Sequence, residues 1–245
     1  MTESEWIVGF HAVLAVLEAD RPVEVVWLQD GRRDGRLARV ENAARARGLS
    51  LRRVPRRRLD EVALGQPHNG CALRSAPVAL KTIDDLIRPE GEPGSLVLLD
   101  ALDDPHNLGA VVRSAAAFGI DGIIVAGPAA PPLGGAAAKA AAGHLERVPL
   151  ARINVAADAL TTLRDAGYWA IGAAMEGTPS REIDPTNRWV LCIGSEHKGL
   201  RAKTRSAIDE FVAIPMAEGV ESLNLSVAAG VLMYELVGRS RSYDS

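Results

Sequence analysis

Residues 95–100, Ser-Leu-Val-Leu-Leu-Asp, form a nearly unbroken apolar run. Apolar and polar positions do not alternate, so neither face of such a strand can be left in water. A strand of this kind belongs to a parallel sheet with helices on both faces. A helix signal follows at once. Asp104-Pro105 reads as N-cap and first helical position, Leu108, Val111, Val112 and Ala115 supply a buried stripe, and Gly119 ends it. Further strands are expected at 122–125, 147–150, 168–174, 189–193 and 211–215. Helices are expected up to Gly143, from an Asn154 cap to Ala166, and from about Ser222 to Val237. The fold class is α/β, with a mostly parallel sheet covered on both faces over residues 95–245.

Residues 1–75 alternate on a smaller scale. Helices are expected at 10–19, around Leu37, Val40 and Ala44, and at 56–63, and strands at 23–28, 49–54 and 70–75. This is the pattern of a separate small α/β domain. Pro77, Pro89 and Pro93 mark 76–94 as the linker, with a short amphipathic piece at 82–87.

Composition excludes several classes. Apolar residues make up 47% and charged residues 24%, a globular profile with no apolar run of membrane-spanning length, so no membrane partner is expected. The acidic start, Met1-Thr2-Glu3-Ser4-Glu5, is no signal peptide. Cys71 and Cys192 belong to no CxxC or Cys/His cluster, so the expectation is a reducing, cytoplasmic setting and no metal. The net charge is −3, yet between Gly31 and Arg58 there are 11 arginines against Asp34 and Glu41. Such a run is either a solvated face or a phosphate-binding patch, and Arg52, Arg53, Arg56, Arg57 and Arg58 are the candidate phosphate contacts.

Ligands of open α/β sheets sit at the carboxyl ends of the strands. Three stretches there are unusually polar. The first is Asp100 to Gly109, with Asn107 in the first helical turn and Arg113 further along. An arginine among valines and alanines suits a fixed cation beside a reacting oxygen, or a side chain that snorkels or pairs locally. The second is Ile193 to Leu200, where glycines flank Ser195, Glu196, His197 and Lys198. The third is Ile214-Pro215-Met216 and then Glu221 to Ala228, where Ser222 or Asn224 suits a helix cap. No GxGxxG, GxxxxGK[ST] or GxSxG is present, which argues against a nicotinamide enzyme, a P-loop NTPase and a serine hydrolase.

Taken together, DDPHNLGAVVRSAAAFG (103–119), IGSEHKGL (193–200) and IPMAEGVESLNLSVAAG (214–230) resemble the three successive motifs of the SpoU/TrmH class of RNA ribose 2′-O-methyltransferases, within the SPOUT superfamily. The stretch from Lys139 through Gly143 to Glu146 resembles a further family segment. GFHAVLAVLEA and HNGCAL (68–73) resemble the family's auxiliary L30e-like domain, found with enzymes that methylate a guanosine of large-subunit ribosomal RNA. His197 stands where members often have glycine, and Ala138 where serine is frequent.

The resemblance implies S-adenosylmethionine as donor, a deep trefoil knot in the C-terminal domain and a homodimer. It implies that Gly194, Ser195, Ile214, Met216 and Leu223 line the donor pocket. Asn107, Arg113, Glu196, Ser222 and Asn224 become the catalytic set. In it Arg113 anchors the 2′-oxygen or a phosphate, Glu196 holds Asn107 or Arg113, and Ser222 and Asn224 orient the ribose or the donor carboxylate. Ribosomal RNA is the expected substrate. Transfer RNA, or a non-catalytic RNA-binding or assembly role on the same fold, are the alternatives.

Overall fold

The computed structural model describes residues 4–19, 21–196, 198–220 and 222–240, so His197 and Glu221 lie outside the described residues. The chain divides into two compact units. One is Met1–Ala79 with Pro132–Arg147, the other Leu80–Pro131 with Val148–Ser245. The stretch 132–147 therefore groups with the N-terminal residues, and most of 76–94 with the C-terminal unit.

The first unit has strands β1 (Glu5–Val8), β2 (Val23–Gln29), β3 (Leu51–Val54) and β4 (Cys71–Ser75), and helices α1 (Phe10–Glu18), α2 (Gly35–Ala46) and α3 (Arg56–Ala63). The sheet order is β1-β4-β2-β3, antiparallel except for the β2/β3 pair. β1 has no signal of its own in the sequence, since its pairing partner lies about 70 residues away, with Glu5 opposite Ser75. Leu59 and Ala63 of α3 pack with Val8, Ala72, Trp6, Trp27 and Val54. α1 and α2 pack together and bury Val13, Leu17, Leu37, Val40 and Ala44. The short helix α5 (Ala136–Ala140) also belongs to this unit.

Two arginines of this unit serve the fold. Arg47 donates to the carbonyls of Val16 (3.0 Å), Ala19 (2.9 Å) and Arg21 (2.8 Å), satisfying the open end of α1. Arg21 is buried and pairs with Glu5 (2.5 Å) and Glu146 (2.8 Å) while its Nε bonds the Ala76 carbonyl. Arg21→Ala would leave the largely buried Glu146 carboxylate unpaired, which costs about 3–5 kcal/mol. Urea denaturation should read this as a lowered midpoint. A wild-type midpoint would mean that the network adds nothing to stability.

The second unit is built on β5 (Gly94–Asp100), β6 (Gly122–Ala126), β7 (Leu150–Ile153), β8 (Trp169–Pro179), β9 (Arg188–Gly194) and β10 (Glu210–Ala213). Its sheet order is β10-β8-β9-β5-β6-β7 and every neighbouring pair is parallel. All seven residues of β5 are buried, as the apolar run requires. Leu96 and Leu98 face α6 (Ala156–Asp165), packing with Ala159, Leu160 and Leu163, and α6 meets the single-turn α7 (Ala202–Arg205). On the other face α4 (Pro105–Phe118) and α8 (Leu225–Ser240) pack against each other and against β6 and β9. α4 starts as its sequence predicts: Asp104 accepts from the His106 N–H (2.8 Å), and Gly119 ends the helix at φ +67°.

Four local expectations need correction. Asn154 does not cap α6, because Val155 occupies the cap position and no side chain bonds there. The strand expected at 147–150 forms three residues later, at Leu150–Ile153. α8 starts at Leu225, and the cap is Asn224 rather than Ser222. β8 extends to Pro179 because it bulges. Gly172 pairs with Phe211 and Thr178 with Val212, so 173–177 loop out between them.

The order of these strands also locates a site. From β5 the chain moves outward through β6 and β7, then crosses to β8 and β9 on the other side. The direction reverses between β5 and β9, which leaves a crevice at their carboxyl ends.

Candidate active site

The loop after β9 closes on itself. The Ser195 N–H donates to the Gly199 carbonyl (3.2 Å) and the Gly199 N–H to the Ser195 carbonyl (2.9 Å). Gly199 turns the chain at φ +63°. A Cβ on Gly194 would lie 1.9 Å from the Gly199 carbonyl carbon, so only glycine allows this closure. The closed loop presents the Glu196 side chain.

Glu196 is the hub of the site. Its Oε1 accepts from Asn107 Nδ2 (3.0 Å), Asn224 Nδ2 (2.7 Å) and the Leu225 N–H (3.3 Å). The second Asn224 amide proton goes to Asn107 Oδ1 (3.0 Å). Asn224 Oδ1 accepts from the N–H groups of Ser226 (2.9 Å) and Val227 (3.3 Å), capping α8, and from Ser226 Oγ (2.6 Å). Asn224 has therefore spent both donors and its acceptor. Among the described residues, Asn107, buried in the first turn of α4, keeps one Nδ2 proton free. Among the described residues, Glu196 Oε2 has no protein partner.

Beside this network lies a cavity of about 550 Å³. All five residues expected to line a donor pocket are in its wall: Gly194, Ser195, Ile214, Met216 and Leu223. Glu196 and Ser222 line it too. The sequence assigned no pocket role to Met175, Glu176, Lys198 or Arg205, which share the wall. Arg205 sits over the Phe211 ring at 4.4 Å. The β8 bulge delivers Met175 and Glu176, and no local signal announces a bulge. The apolar walls and the close backbone approach at Gly194 fit an adenosine-bearing sulfonium ligand.

Of the two partners expected for Glu196, the structure has Asn107 and not Arg113. Arg113 is exposed on α4, outside the cavity wall, and makes no hydrogen bond or ion pair among the described residues. Glu196 holds Asn107 and Asn224 in its place. A second missed pair supports the loop from below: buried Asp100, at the end of β5, accepts from the Arg201 N–H (2.9 Å) and from Arg201 Nε (2.7 Å). The partners are 101 positions apart, beyond any sequence-local signal.

The five arginines proposed for RNA separate by geometry. Arg52 and Arg53 are successive strand residues and point to opposite faces. Arg53 bonds Glu41 of α2 (2.5 Å). Arg52 shares the α3 face with Val54. Arg56, Arg57 and Arg58 project from the start of α3 and meet Asp60 or Glu61 only at 3.5–3.7 Å. Exposed pairs this loose contribute little, so these charges remain available.

Burial pushes the Cys71 thiol up to about 12 and the Cys192 thiol higher still, so neither offers a thiolate. Among the described residues, no group of three or more His, Cys, Asp and Glu is placed to hold a metal, and no helix is long and apolar enough to cross a membrane.

Comparison with known proteins adds to this geometry. Residues 94–234 match the model of the SpoU rRNA Methylase family, and residues 6–79 match RNA 2′-O ribose methyltransferase substrate binding. The 23S rRNA (guanosine-2′-O-)-methyltransferase RlmB of Escherichia coli (strain K12) is 38% identical, over 98% of this chain and 100% of that protein. YacO of Bacillus subtilis (strain 168), named for the TrmH family of tRNA/rRNA methyltransferases, is 34% identical over 96% of this chain and 95% of its own length. The crystal structure of an AdoMet-bound rRNA methyltransferase from Sinorhizobium meliloti superposes with a TM-score of 0.81 at 26% identity, covering 95% of this chain and 86% of that one.

Proposed function

The chain belongs to the SpoU rRNA methylase family, and we propose that it transfers a methyl group from S-adenosylmethionine to the ribose 2′-hydroxyl of a guanosine in 23S ribosomal RNA. One observation carries this reading: Glu196 joins Asn107 and Asn224, from three separate segments of the chain, beside a cavity that all five expected donor-pocket residues line.

The bound donor supplies an activated methyl on a sulfonium. The protein then has to bind, orient and deprotonate. Ile214, Met216 and Leu223 offer apolar surface, and Gly194 and Ser195 offer backbone groups, for the donor. Asn224 has no free polar atom, so it acts as a positioning residue. The free Asn107 proton and Glu196 Oε2 are left to face the ribose, Oε2 as acceptor for the 2′-hydroxyl. A guanidinium stays protonated, so Arg113 serves as an electrostatic anchor for the 2′-oxygen or a neighbouring phosphate rather than as a base. Residues 1–75 dock the RNA and 95–245 carry the transfer, except that 132–147 group with the N-terminal unit and most of 76–94 with the C-terminal one.

The test is mapping of 2′-O-methylation in ribosomal and transfer RNA from cells with and without the protein. Loss of one ribosomal guanosine methyl supports the reading. Loss of a transfer RNA methyl moves the substrate to that RNA, and an unchanged map leaves only a non-catalytic role.

The exposed arginines suit phosphate binding. Neutralising Arg52, Arg56, Arg57 and Arg58 should weaken RNA binding and flatten its salt dependence, by roughly one unit of log–log slope for each phosphate no longer neutralised. An unchanged slope would return the run to a solvated face.

The protein acts as a homodimer in this reading. Val227, Val231 and Tyr234 are 50%, 37% and 63% exposed and recur at helical spacing on α8, an apolar stripe suited to a second copy. A threaded C-terminal path, the knot of the family, is part of the same proposal. Val231→Asp with Tyr234→Asp should halve the mass seen by light scattering. A monomeric wild type would remove the dimer from the proposal.

A further inference from the structure

The His68-Asn69-Gly70 turn has no part in methyl transfer, yet it borders a second cavity. This one is about 500 Å³ and lies wholly within the first unit, a size suited to small-ligand binding, for which about 300–1,000 Å³ is usual. Gln29, Gln66, Asn69, Asp60, Arg32 and Arg56 line it. His68 is a fixed strut. Its Nδ1 accepts the Gly70 N–H (3.0 Å), so the ring proton is on Nε2, directed to Asp60 (3.1 Å). Asn69 is held at φ +51°, in the left-handed region. Gln66 Oε1 is buried and has no hydrogen-bond partner among the described residues. An orphaned acceptor of this kind is costly in a fold and calls for a reason.

We propose that this cavity takes one unpaired nucleobase of the RNA substrate. The amides and carboxylate read the hydrogen-bonding edge of the base, and the Arg32 and Arg56 planes lie against its face or its phosphate. Sequence-specific RNA recognition targets unstacked bases in this way, with hydrogen bonds to the base edge and stacking on guanidinium planes. The Gln66 oxygen is buried, so its carboxamide has to turn into the cavity before a base N–H can satisfy it. The inference rests on RNA being the substrate, and it adds a base-reading function to a domain whose arginines alone would bind any phosphate backbone.

The test uses the full chain with two probes, a deproteinised 23S rRNA transcript and a fully paired RNA duplex. Gln66→Met removes the unpaired acceptor and Asn69→Gly keeps the backbone conformation while deleting the amide. The double variant is expected to bind the transcript ~10-fold or more weakly, with the salt slope and duplex affinity of wild type, because phosphate contacts are untouched. Gln66→Met alone should melt no lower than wild type. Unchanged transcript affinity, an equal loss on the duplex, or a melting temperature that falls with affinity would overturn the proposal. A wild-type protein that prefers neither probe would instead overturn the ribosomal RNA reading, and this inference with it.

Discussion

Arg113→Ala is expected to slow methyl transfer by ~10³-fold, the scale reached when one preorganised charge is removed from a reacting oxygen. Donor binding should be unaffected, because Arg113 does not touch the cavity wall. The two quantities separate experimentally: single-turnover rates with RNA read the first, and calorimetric titration with S-adenosylmethionine the second. Arg113→Lys should fall between, since the charge survives but the planar fork is lost. The prediction draws on the exposure of this side chain. A guanidinium without a protein partner has its full charge to offer to substrate, whereas one bound to Glu196 would already be neutralised. Near-normal turnover in Arg113→Ala would take the residue off the catalytic set.

Gly194→Ala is the second large effect. The added methyl would lie 1.9 Å from the Gly199 carbonyl carbon and 2.1 Å from the Leu200 nitrogen. Both contacts are backbone, so no side chain can swing aside. The Ser195–Gly199 ring has to open, carrying Glu196 away from Asn107, Asn224 and the first turn of α8. Affinity for S-adenosylmethionine should drop by ~100-fold or more, and overpacking should lower stability by at least about 1–3 kcal/mol. Wild-type affinity and melting temperature in this variant would contradict the closed-loop geometry on which the site is built.

These two residues also mark what could be read in advance. Signals local to the chain were legible. The unbroken apolar run at 95–100 became the fully buried β5, and Asp104, Pro105 and Gly119 became the cap, first turn and end of α4. Contacts between distant residues were not. β1 depends on β4, the β8 bulge depends on β10, and Asp100 is held by Arg201. Arg47 illustrates the limit within one residue type: in sequence it is one of a charged run, in the fold it closes α1. The polar members of the site were found through their likeness to a family. Their wiring was not, because spacing alone does not say that Glu196 would choose Asn224 over Arg113.

Polar residues placed for catalysis usually weaken the fold that carries them, so activity and stability pull against each other. Asn224 escapes that conflict. One face of its carboxamide starts α8 and the other aligns Asn107 with Glu196. A substitution that harms the site also frays the helix, so quality control on folding and selection on turnover act on the same atoms. An enzyme made more robust by strengthening the start of α8 would for once hold Asn107 and Glu196 more firmly as well.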